Sequence, residues 1–417
     1  MDEPGVAATA RIGSPMAPSA REIVVVSDLH LAGRRAIVDG FDRGSALAGF
    51  LRSLAGRARA DEPLLLVILG DAFDLPIAAP LGTAPGDAGR RWGVRARDAL
   101  EPLLTLHSDV VDGLAAFLAT GGQLALVPGN HDAALAVPAV RLPLIERLGP
   151  PAAGAVTVHA WILYLPGLVY AEHGHQHHDL SAIPTLLRPD ARPDALGAPL
   201  GRRIEDLQAA REAREGARPR GIGDPALLRA MARLTVDLAR FVGAPRALAR
   251  RRAVYRAEIL PACAEEIGLP VETLEDLDRM SETSAWSIAA RLGRRWLGGR
   301  RRWRRATAGP GSQASYLGPA ASRIHALLTA NGRAVPVYLF GHTHAPALEP
   351  LAGRAAGPPW YVNTGSWAPL RPPALARLVG PGRYPFVRVR AGPGGRLEGV
   401  ELRVWDTGAE REDAFPG

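Results

Sequence analysis

Lysine is absent from the 417-residue sequence, so all 50 of its basic residues are arginine. The formal net charge is +8, but the complete loss of one basic residue type indicates compositional drift across a genome. The overall charge is therefore weak evidence about partners, and only local clusters of charge are informative.

Cysteine is almost absent as well. The single residue, Cys263, excludes an intrachain disulfide and a thiolate metal cage, so any bound metal must have nitrogen and oxygen ligands. This composition is typical of a reducing compartment, and we expect a cytoplasmic protein.

Long hydrophobic runs are also missing. The longest apolar stretch, residues 156–171, contains His159, Pro166 and Gly167, which predicts two strands and a turn and not a membrane span. Residues 1–20 lack the apolar core of a signal peptide, and we expect a disordered lead. Hydrophobic residues still make up 47% of the chain, enough for a large core.

Five short apolar runs, each followed by polar residues, predict buried strands. They cover residues 23–26, 64–69, 124–127, 168–170 and 335–340. Helical periodicity over residues 45–58 and 98–120 separates some of them, so we predict a layered α/β sheet. Ligands of such sheets bind at the carboxyl ends of strands, where all five polar clusters lie.

The predicted domain organisation has a core in two parts, residues 21–180 and 326–410. Residues 181–325 lack strand-like runs and are rich in Ala, Leu, Arg and Glu. A proline suited to a helix start, Pro225, precedes one amphipathic pattern there. We interpret this stretch as a long helical insertion or lid.

The polar clusters contain the residues that can carry chemistry. They are Asp28-Leu29-His30, Gly70-Asp71-Ala72-Phe73-Asp74, Gly129-Asn130-His131-Asp132, Glu172-His173-Gly174-His175 and Gly341-His342-Thr343-His344. In an extended segment, residues i and i+2 point the same way, so the first and last clusters can each aim two ligands at one place. The mixture of carboxylate, imidazole and amide groups suits Mn, Fe or Zn better than Mg or Ca, and we favour Mn.

In this order, the motifs resemble the calcineurin-like metallophosphoesterase superfamily, whose pattern is D-x-H, G-D-x-x-D, G-N-H-[DE], H and G-H-x-H. The resemblance covers residues 20–180 and 326–410. It implies a metallophosphoesterase-type layered β-sandwich flanked by helices. It also implies hydrolysis of a phosphate monoester, diester or pyrophosphate by a hydroxide that bridges two divalent metal ions.

The resemblance further implies a role for each residue. One metal would be held by Asp28, His30, Asp71 and His344, and the other by Asp71, Asn130, His173 and His342, with Asp71 bridging. His131 would be the general acid and Asp132 would orient its ring, with Asp74 behind them.

Several residues keep two interpretations. His175 is an alternative ligand to His173, and His177, His178 and Asp179 are either substrate contacts or a solvated loop. The segment Asn363 to Trp367 either lines the site or forms a tight turn, with the turn slightly favoured. We interpret His107, His159 and His325 as structural.

The substrate is a phosphorylated compound whose class the sequence leaves open. No acidic residue occurs between Glu282 and Glu349, and residues 294–305 read RRWLGGRRRWRR. The segment 286–305 can contact anionic membrane, including its inner face, or nucleic acid. The alternative is a solvated arginine-rich face. No obligate protein partner is evident.

Three alternative functions remain. The UDP-2,3-diacylglucosamine hydrolases, which work as membrane-surface lipid pyrophosphatases, resemble this chain in part. They have Arg where His131 stands here, and their insertion is shorter. A DNA phosphodiesterase or nuclease shares the GNHD form, but no coiled-coil pattern follows. A non-catalytic scaffold is least favoured because every ligand is present.

Overall fold

The computed structural model describes residues 20–33, 37–38, 41–59, 62–75, 85–150, 152–178, 181–183, 255–281, 316–351, 358–368, 370 and 373–416. The larger sheet consists of β1 (Glu22–Val26), β4 (Leu64–Leu69), β5 (Gln123–Val127), β6 (Val156–Val158), β12 (Arg383–Ala391), β13 (Leu397–Asp406) and β14 (Arg411–Ala414). Its order is β14-β13-β12-β1-β4-β5-β6, and a hairpin of β2 (Ile37–Val38) and β3 (Phe41–Asp42) stands apart. The strands from β1 to β6 run parallel, whereas β12 to β14 add antiparallel.

The smaller sheet is built from β7 (Ile162–Leu165), β8 (Val169–Glu172), β9 (Val337–Phe340), β10 (Ala347–Pro350) and β11 (Trp360–Asn363). Its order is β10-β11-β9-β8-β7. The central strands β8, β9 and β11 run parallel, although more than 160 residues separate β8 from β9 along the chain. The two parts of the predicted core therefore meet in this sheet.

Helices cover the outer faces of both sheets. They are α1 (Arg43–Arg57), α2 (Pro85–Leu106), α3 (Ser108–Ala119), α4 (Pro138–Leu148), α5 (Ala152–Ala155), α6 (Leu260–Ile267), α7 (Val271–Ser281), α8 (Leu317–Ala330) and α9 (Pro373–Val379). A π-helical turn, Tyr255–Ile259, precedes α6, and short 3-10 turns cover Ala133–Ala136, His175–His177 and Pro393–Gly395.

Three apolar layers hold these elements together. The inward faces of the two sheets share one core, in which Val25 and Val67 of the larger sheet belong with Val169 and Leu339 of the smaller. The outer face of the larger sheet packs against α1 to α4, and the outer face of the smaller sheet packs against α6 to α8. Alternate strand residues thus enter different cores, as the twofold repeat of a strand requires. The layered α/β prediction is confirmed.

Most predicted strands are confirmed within two residues, but two other predictions are wrong. Residues 98–120 form two helices and not one, because the chain breaks at His107, whose Nε2 donates to the carbonyl of Ala32 at 3.1 Å. Residues 156–171 form three strands and not two, and β6 joins the larger sheet while β7 and β8 join the smaller.

The predicted insertion is described only in part. Its described part contains the π-helical turn Tyr255–Ile259 and the helices α6 and α7, and α8 crosses the predicted boundary at residue 325. The lead at 1–19, the pattern that begins at Pro225 and the arginine-rich segment 286–305 lie outside the described residues.

No single described helix is long and apolar enough to cross a membrane. The bent pair Gly93–Leu106 and Ser108–Ala119, whose axes meet at 85°, reaches that length and composition only when both are taken together.

Candidate metal centre

Polar side chains from both sheets converge where the parallel strands end. Asp28 follows β1, Asp71 follows β4 and Asn130 follows β5, whereas His173 and His342 follow β8 and β9 of the smaller sheet. Parallel strands place their carboxyl ends at one edge of a sheet. The packing of the two sheets therefore brings five separate chain segments to one place.

The first group of ligand atoms comes from Asp28, His30 and His344, all within 4.8 Å of one another. Nε2 of His344 lies 3.1 Å from Oδ1 of Asp28 and 3.3 Å from Nε2 of His30. Oδ2 of Asp28 faces away and accepts hydrogen bonds from Ser27 Oγ at 2.5 Å and from the His342 N–H at 3.0 Å. One carboxylate oxygen is thus fixed by the chain and the other faces the two imidazoles.

The second group comes from Asp71, His173 and His342. Nδ1 of His173 donates to the carbonyl of Leu69 at 2.8 Å, so that Nε2 carries the lone pair. That Nε2 lies 3.2 Å from Oδ2 of Asp71. The same oxygen lies 3.8 Å from Nε2 of His30 in the first group. Oδ2 of Asp71 therefore lies near a histidine nitrogen of each group.

Asn130 adds a neutral oxygen to the second group's neighbourhood. The residue is buried, and its Oδ1 has no hydrogen-bond partner in the part of the chain that the structure describes. A buried amide oxygen without a partner is costly unless it has a ligand. Together with the two groups, this atom fits a site for divalent cations with oxygen and nitrogen ligands.

His173, and not His175, is the histidine of its segment that belongs to a ligand group. The ring of His175 lies behind it, with centroids 5.5 Å from His173 and 6.3 Å from His342. Of the two alternatives left open by the sequence, the geometry brings His173 to the other candidate ligands, and its role as a ligand stays a prediction.

The electrostatics of the site favour positive charge. Burial lowers the pKa of His173, but the charges of Asp71 and Asp28 outweigh this effect and raise it to about 10. In the same way, burial lowers the pKa of His30 but contact with Asp74 and nearby carboxylates raises it to about 9. The buried carboxylates thus favour positive charge at this place, as a site for divalent cations requires.

Five of the candidate ligands have left-handed backbone. The φ angles of Asp28, His30, Asp71, His342 and His344 are +53°, +47°, +53°, +68° and +58°. The prediction that residues 28 and 30, and 342 and 344, continue an extended strand is therefore wrong, since β1 and β9 end earlier. Left-handed backbone costs about 1–2 kcal/mol per residue, and such strain is typical of functional sites.

Two glycines of the motifs are required by close approach of other groups. A Cβ at Gly129 would lie 2.6 Å from the backbone nitrogen of Asp71. A Cβ at Gly341 would lie 2.6 Å from Ser27 Oγ and 2.7 Å from Asp28 Oδ2. Neither position has room for a side chain without moving a candidate ligand.

Asp74, and not Asp132, contacts the ring of His131. Oδ1 of Asp74 accepts from Nδ1 of His131 at 2.8 Å and from Nδ1 of His30 at 2.9 Å. These bonds lower the pKa of Asp74, although burial opposes them. The interpretation of Asp132 as the residue that orients His131 is corrected accordingly.

Asp132 instead holds the backbone around Asp71. Its carboxylate accepts the N–H groups of Gly129 at 2.7 Å, Ala72 at 2.6 Å and Asp71 at 3.2 Å. Burial first, and then the charge of Asp71, raise its pKa to about 6. The short side chain of the residue after His131 reaches the adjacent motif more easily than it reaches back to the ring.

The segment after β11 braces the site from behind. Nδ2 of Asn363 donates to the carbonyl of Gly341 at 2.8 Å, and Ser366 Oγ donates to the carbonyl of Asp28 at 3.1 Å. Thr364 Oγ1 lies 2.5 Å from Ser27 Oγ, which in turn contacts Asp28. The turn interpretation was incomplete, because this turn holds both halves of the first ligand group. The sequence assigned no role of its own to Ser27, which directly precedes the first motif, and included Thr364 only as part of the segment 363–367.

The remaining histidines lie outside the ligand groups. His325 Nδ1 lies 2.9 Å from the hydroxyl of Tyr338, and burial lowers the pKa of His159 to about 4. With the bond of His107 to Ala32, these contacts agree with a structural role. His177 Nε2 lies 2.5 Å from the buried carboxylate of Glu172.

Comparison with known proteins agrees with the geometry. Residues 21–206 match the family model described as calcineurin-like phosphoesterase, and no curated protein matches the chain. The match contains the first four motifs, and β9 brings the fifth motif to them by pairing with β8. Residues 21–206 are therefore similar to calcineurin-like phosphoesterases, and the clustered histidine and aspartate groups fit a metal-dependent phosphoesterase.

Proposed function

We propose that this protein hydrolyses a phosphate monoester, diester or pyrophosphate with two divalent metal ions. Asp28, His30 and His344 would hold one ion, Asn130, His173 and His342 the other, and Asp71 both. The observation that carries the proposal is the position of Asp71 Oδ2, within 3.8 Å of a histidine nitrogen from each ligand group.

The donor set favours Mn, Fe or Zn, with Mn preferred. When bound, such ions polarise phosphoryl oxygens and acidify the attacking water. The chain itself supplies position and charge. The carboxylates of Asp28 and Asp71 are buried at the site, and each accepts a backbone N–H, from His342 and His131 respectively, which fixes its orientation.

His131 would protonate the leaving oxygen. Asp74 accepts the hydrogen of Nδ1, so Nε2 is the nitrogen that delivers and recovers the proton. A carboxylate with a lowered pKa stays ionised and stabilises the imidazolium between turnovers. Asp74 thus takes the role first given to Asp132.

The decisive experiment is hydrolysis of p-nitrophenyl phosphate and its bis ester with and without added Mn. We expect activity that EDTA removes and Mn restores, and at least one ion per chain in protein purified without chelator. Less than one ion per chain would contradict the two-ion proposal. Asp71→Asn should lose metal and activity together, whereas His131→Ala should keep metal and turn over slowly.

The arginine-rich segment 286–305 supports a second candidate, action on a substrate at an anionic surface. Its charge and tryptophans suit a lipid or UDP-sugar pyrophosphate at the inner face of the membrane, or DNA for a phosphodiesterase. Deletion of 286–305 should abolish binding to phosphatidylglycerol vesicles or to DNA while activity on p-nitrophenyl phosphate remains. Unchanged binding to both would support a solvated face.

A further inference from the structure

A second group of aromatic and imidazole rings lies beside the candidate metal centre. The ring of His178 stacks on Tyr316, with centroids 5.6 Å apart and planes inclined by 26°. On another side, its centroid lies 5.7 Å from that of His342, a candidate ligand. His178 therefore forms part of the wall next to the second ligand group, although the metal motifs do not include it.

The chain holds His178 in a fixed turn. Its Nδ1 lies 2.9 Å from Ser181 Oγ, and its carbonyl accepts the N–H groups of Ser181 and Ala182 at 3.0 and 2.9 Å. Nearby, the side chain of Gln176 exchanges two hydrogen bonds with the backbone of Ile183. A side chain locked by its neighbours is suited to contact a ligand, because little entropy is lost on binding.

Tyr316 lies far from His178 along the chain, on the other side of residues 184–315. It directly precedes α8, whose first residue, Leu317, is fully buried and would contact any Cβ added at Gly174 at 3.1 Å. The tyrosine is half-buried. The two flanks of residues 184–315 thus meet as a stacked pair beside His342.

We propose that His178 contacts the phosphoryl group of the substrate next to the second ligand group, and that Tyr316 positions its ring. This inference rests on the proposed phosphoesterase function and names a further residue of that same site. A phosphoryl oxygen beside Nε2 selects the tautomer in which Ser181 donates to Nδ1 and Nε2 donates to the oxygen. Hydrogen bonds to charged oxygens are the stronger kind.

Inorganic phosphate is the probe for this contact. Loss of a hydrogen bond to a charged group corresponds to roughly tenfold to a hundredfold in affinity. We therefore expect His178→Ala to weaken phosphate binding to the Mn-loaded protein at least tenfold in isothermal calorimetry. With p-nitrophenyl phosphate, KM should rise by more than kcat falls.

The matched control is His325→Ala. His325 is also half-buried, lies on α8 and contacts Tyr338, but it is outside the site. Its removal should change phosphate affinity less than twofold. Tyr316→Phe keeps the stacked ring and should lose less affinity than Tyr316→Ala, in variants that retain the metal content and circular dichroism spectrum of wild type.

Three results would overturn the inference. They are unchanged phosphate affinity in His178→Ala, loss of bound metal in that variant, and a metal-loaded wild type that binds no phosphate. The circular dichroism spectrum and metal content of each variant show whether it is folded and loaded. A wild type that binds metal and phosphate but hydrolyses no ester would overturn the proposed function alone.

Discussion

Asp74 links two imidazoles at the site, because a single carboxylate oxygen accepts from both His30 and His131. Its position in the sequence, three residues after Asp71, is compatible with several roles. Asp132 is engaged by backbone N–H groups, which leaves Asp74 to contact His131. The spacing of the residues along the sequence does not reveal which carboxylate the backbone engages. The roles of the two residues can be separated by substitution.

We expect Asp74→Asn to lower kcat by about a hundredfold or more, since an amide cannot hold His131 in the same tautomer or stabilise its charge. Most of the bound metal should remain, because Asp74 contacts Nδ1 of His30 and not the Nε2 atom that faces Asp28 and Asp71. Asp132→Asn should instead lower both metal content and melting temperature, because the carboxylate accepts four backbone N–H groups around Asp71 and an amide has only one oxygen to accept them. Equal effects of both variants on metal content would contradict this division.

Gly129→Ala tests the close approach of backbone to Asp71. An added methyl group would overlap the Asp71 nitrogen, so we expect loss of metal binding and about 1–3 kcal/mol of stability. Metal analysis and urea unfolding measure the two effects. Gly56→Ala, on α1 with no atom within 4 Å of an added Cβ, is the control, and equal destabilisation of both would show that close packing at Gly129 is not the cause.

Among the helices, the break at His107 had no clear sequence signal. The apolar pattern of residues 98–120 continues through it, and no proline or glycine stands at the break. A tertiary hydrogen bond to Ala32, 75 residues earlier, stabilises the bend. Periodicity describes the face that a helix buries, but it does not register a contact with a distant loop.

A charged residue on α4 and another on α6 should make the stability of the fold depend on pH. Arg141 on α4 is buried and donates to the carbonyls of Leu135 and Ala136, just after the third motif. Burial raises the pKa of Glu266 on α6 to about 7, although Arg141 opposes the shift. A carboxyl with a raised folded-state pKa stabilises the fold below its unfolded pKa, and this stability is lost as pH rises through about 7.

We therefore expect Glu266→Gln to unfold like wild type at pH 5 but to be more stable at pH 8, by roughly 1–3 kcal/mol. Urea unfolding at both values measures the difference. Glu265→Gln is the matched control, since Glu265 is the exposed neighbour on the same helix. Curves for Glu266→Gln and wild type that stay parallel across the range would show that Glu266 is not the group responsible.

At the scale of the whole molecule, the candidate ligands connect the two sheets. Asp28, Asp71 and Asn130 follow strands of the larger sheet, whereas His173 and His342 follow strands of the smaller one. An ion bound between them would hold the folded arrangement but not the unfolded chain. Metal binding and folding are therefore linked.

Saturation with Mn at about a hundred times its dissociation constant should add about 2.7 kcal/mol of stability. We expect the melting temperature to rise by several degrees over EDTA-treated protein in differential scanning calorimetry. Asp71→Asn should show no such rise. A wild-type melting temperature that does not respond to Mn would mean that the sheets do not depend on the ions.

Much of the fold was predictable from the sequence, because short apolar runs before Asp28, Asp71 and Asn130 indicate both a strand and its functional end. The pairing of β12 beside β1, about 360 residues apart in the chain, was not. Whether β12 pairs with β1 depends on which edge strand of the sheet is still unpaired when β12 joins it. The local sequence pattern of either strand contains no information about this long-range contact.

The left-handed backbone of the five candidate ligands has a consequence for how this chain tolerates mutation. Each position has a conformation that glycine adopts with less strain than histidine or aspartate. A variant library selected for expression yield alone should therefore enrich glycine at these positions. The same library selected for hydrolysis should instead enrich the original residues. The two selections should therefore favour different residues at the same five positions.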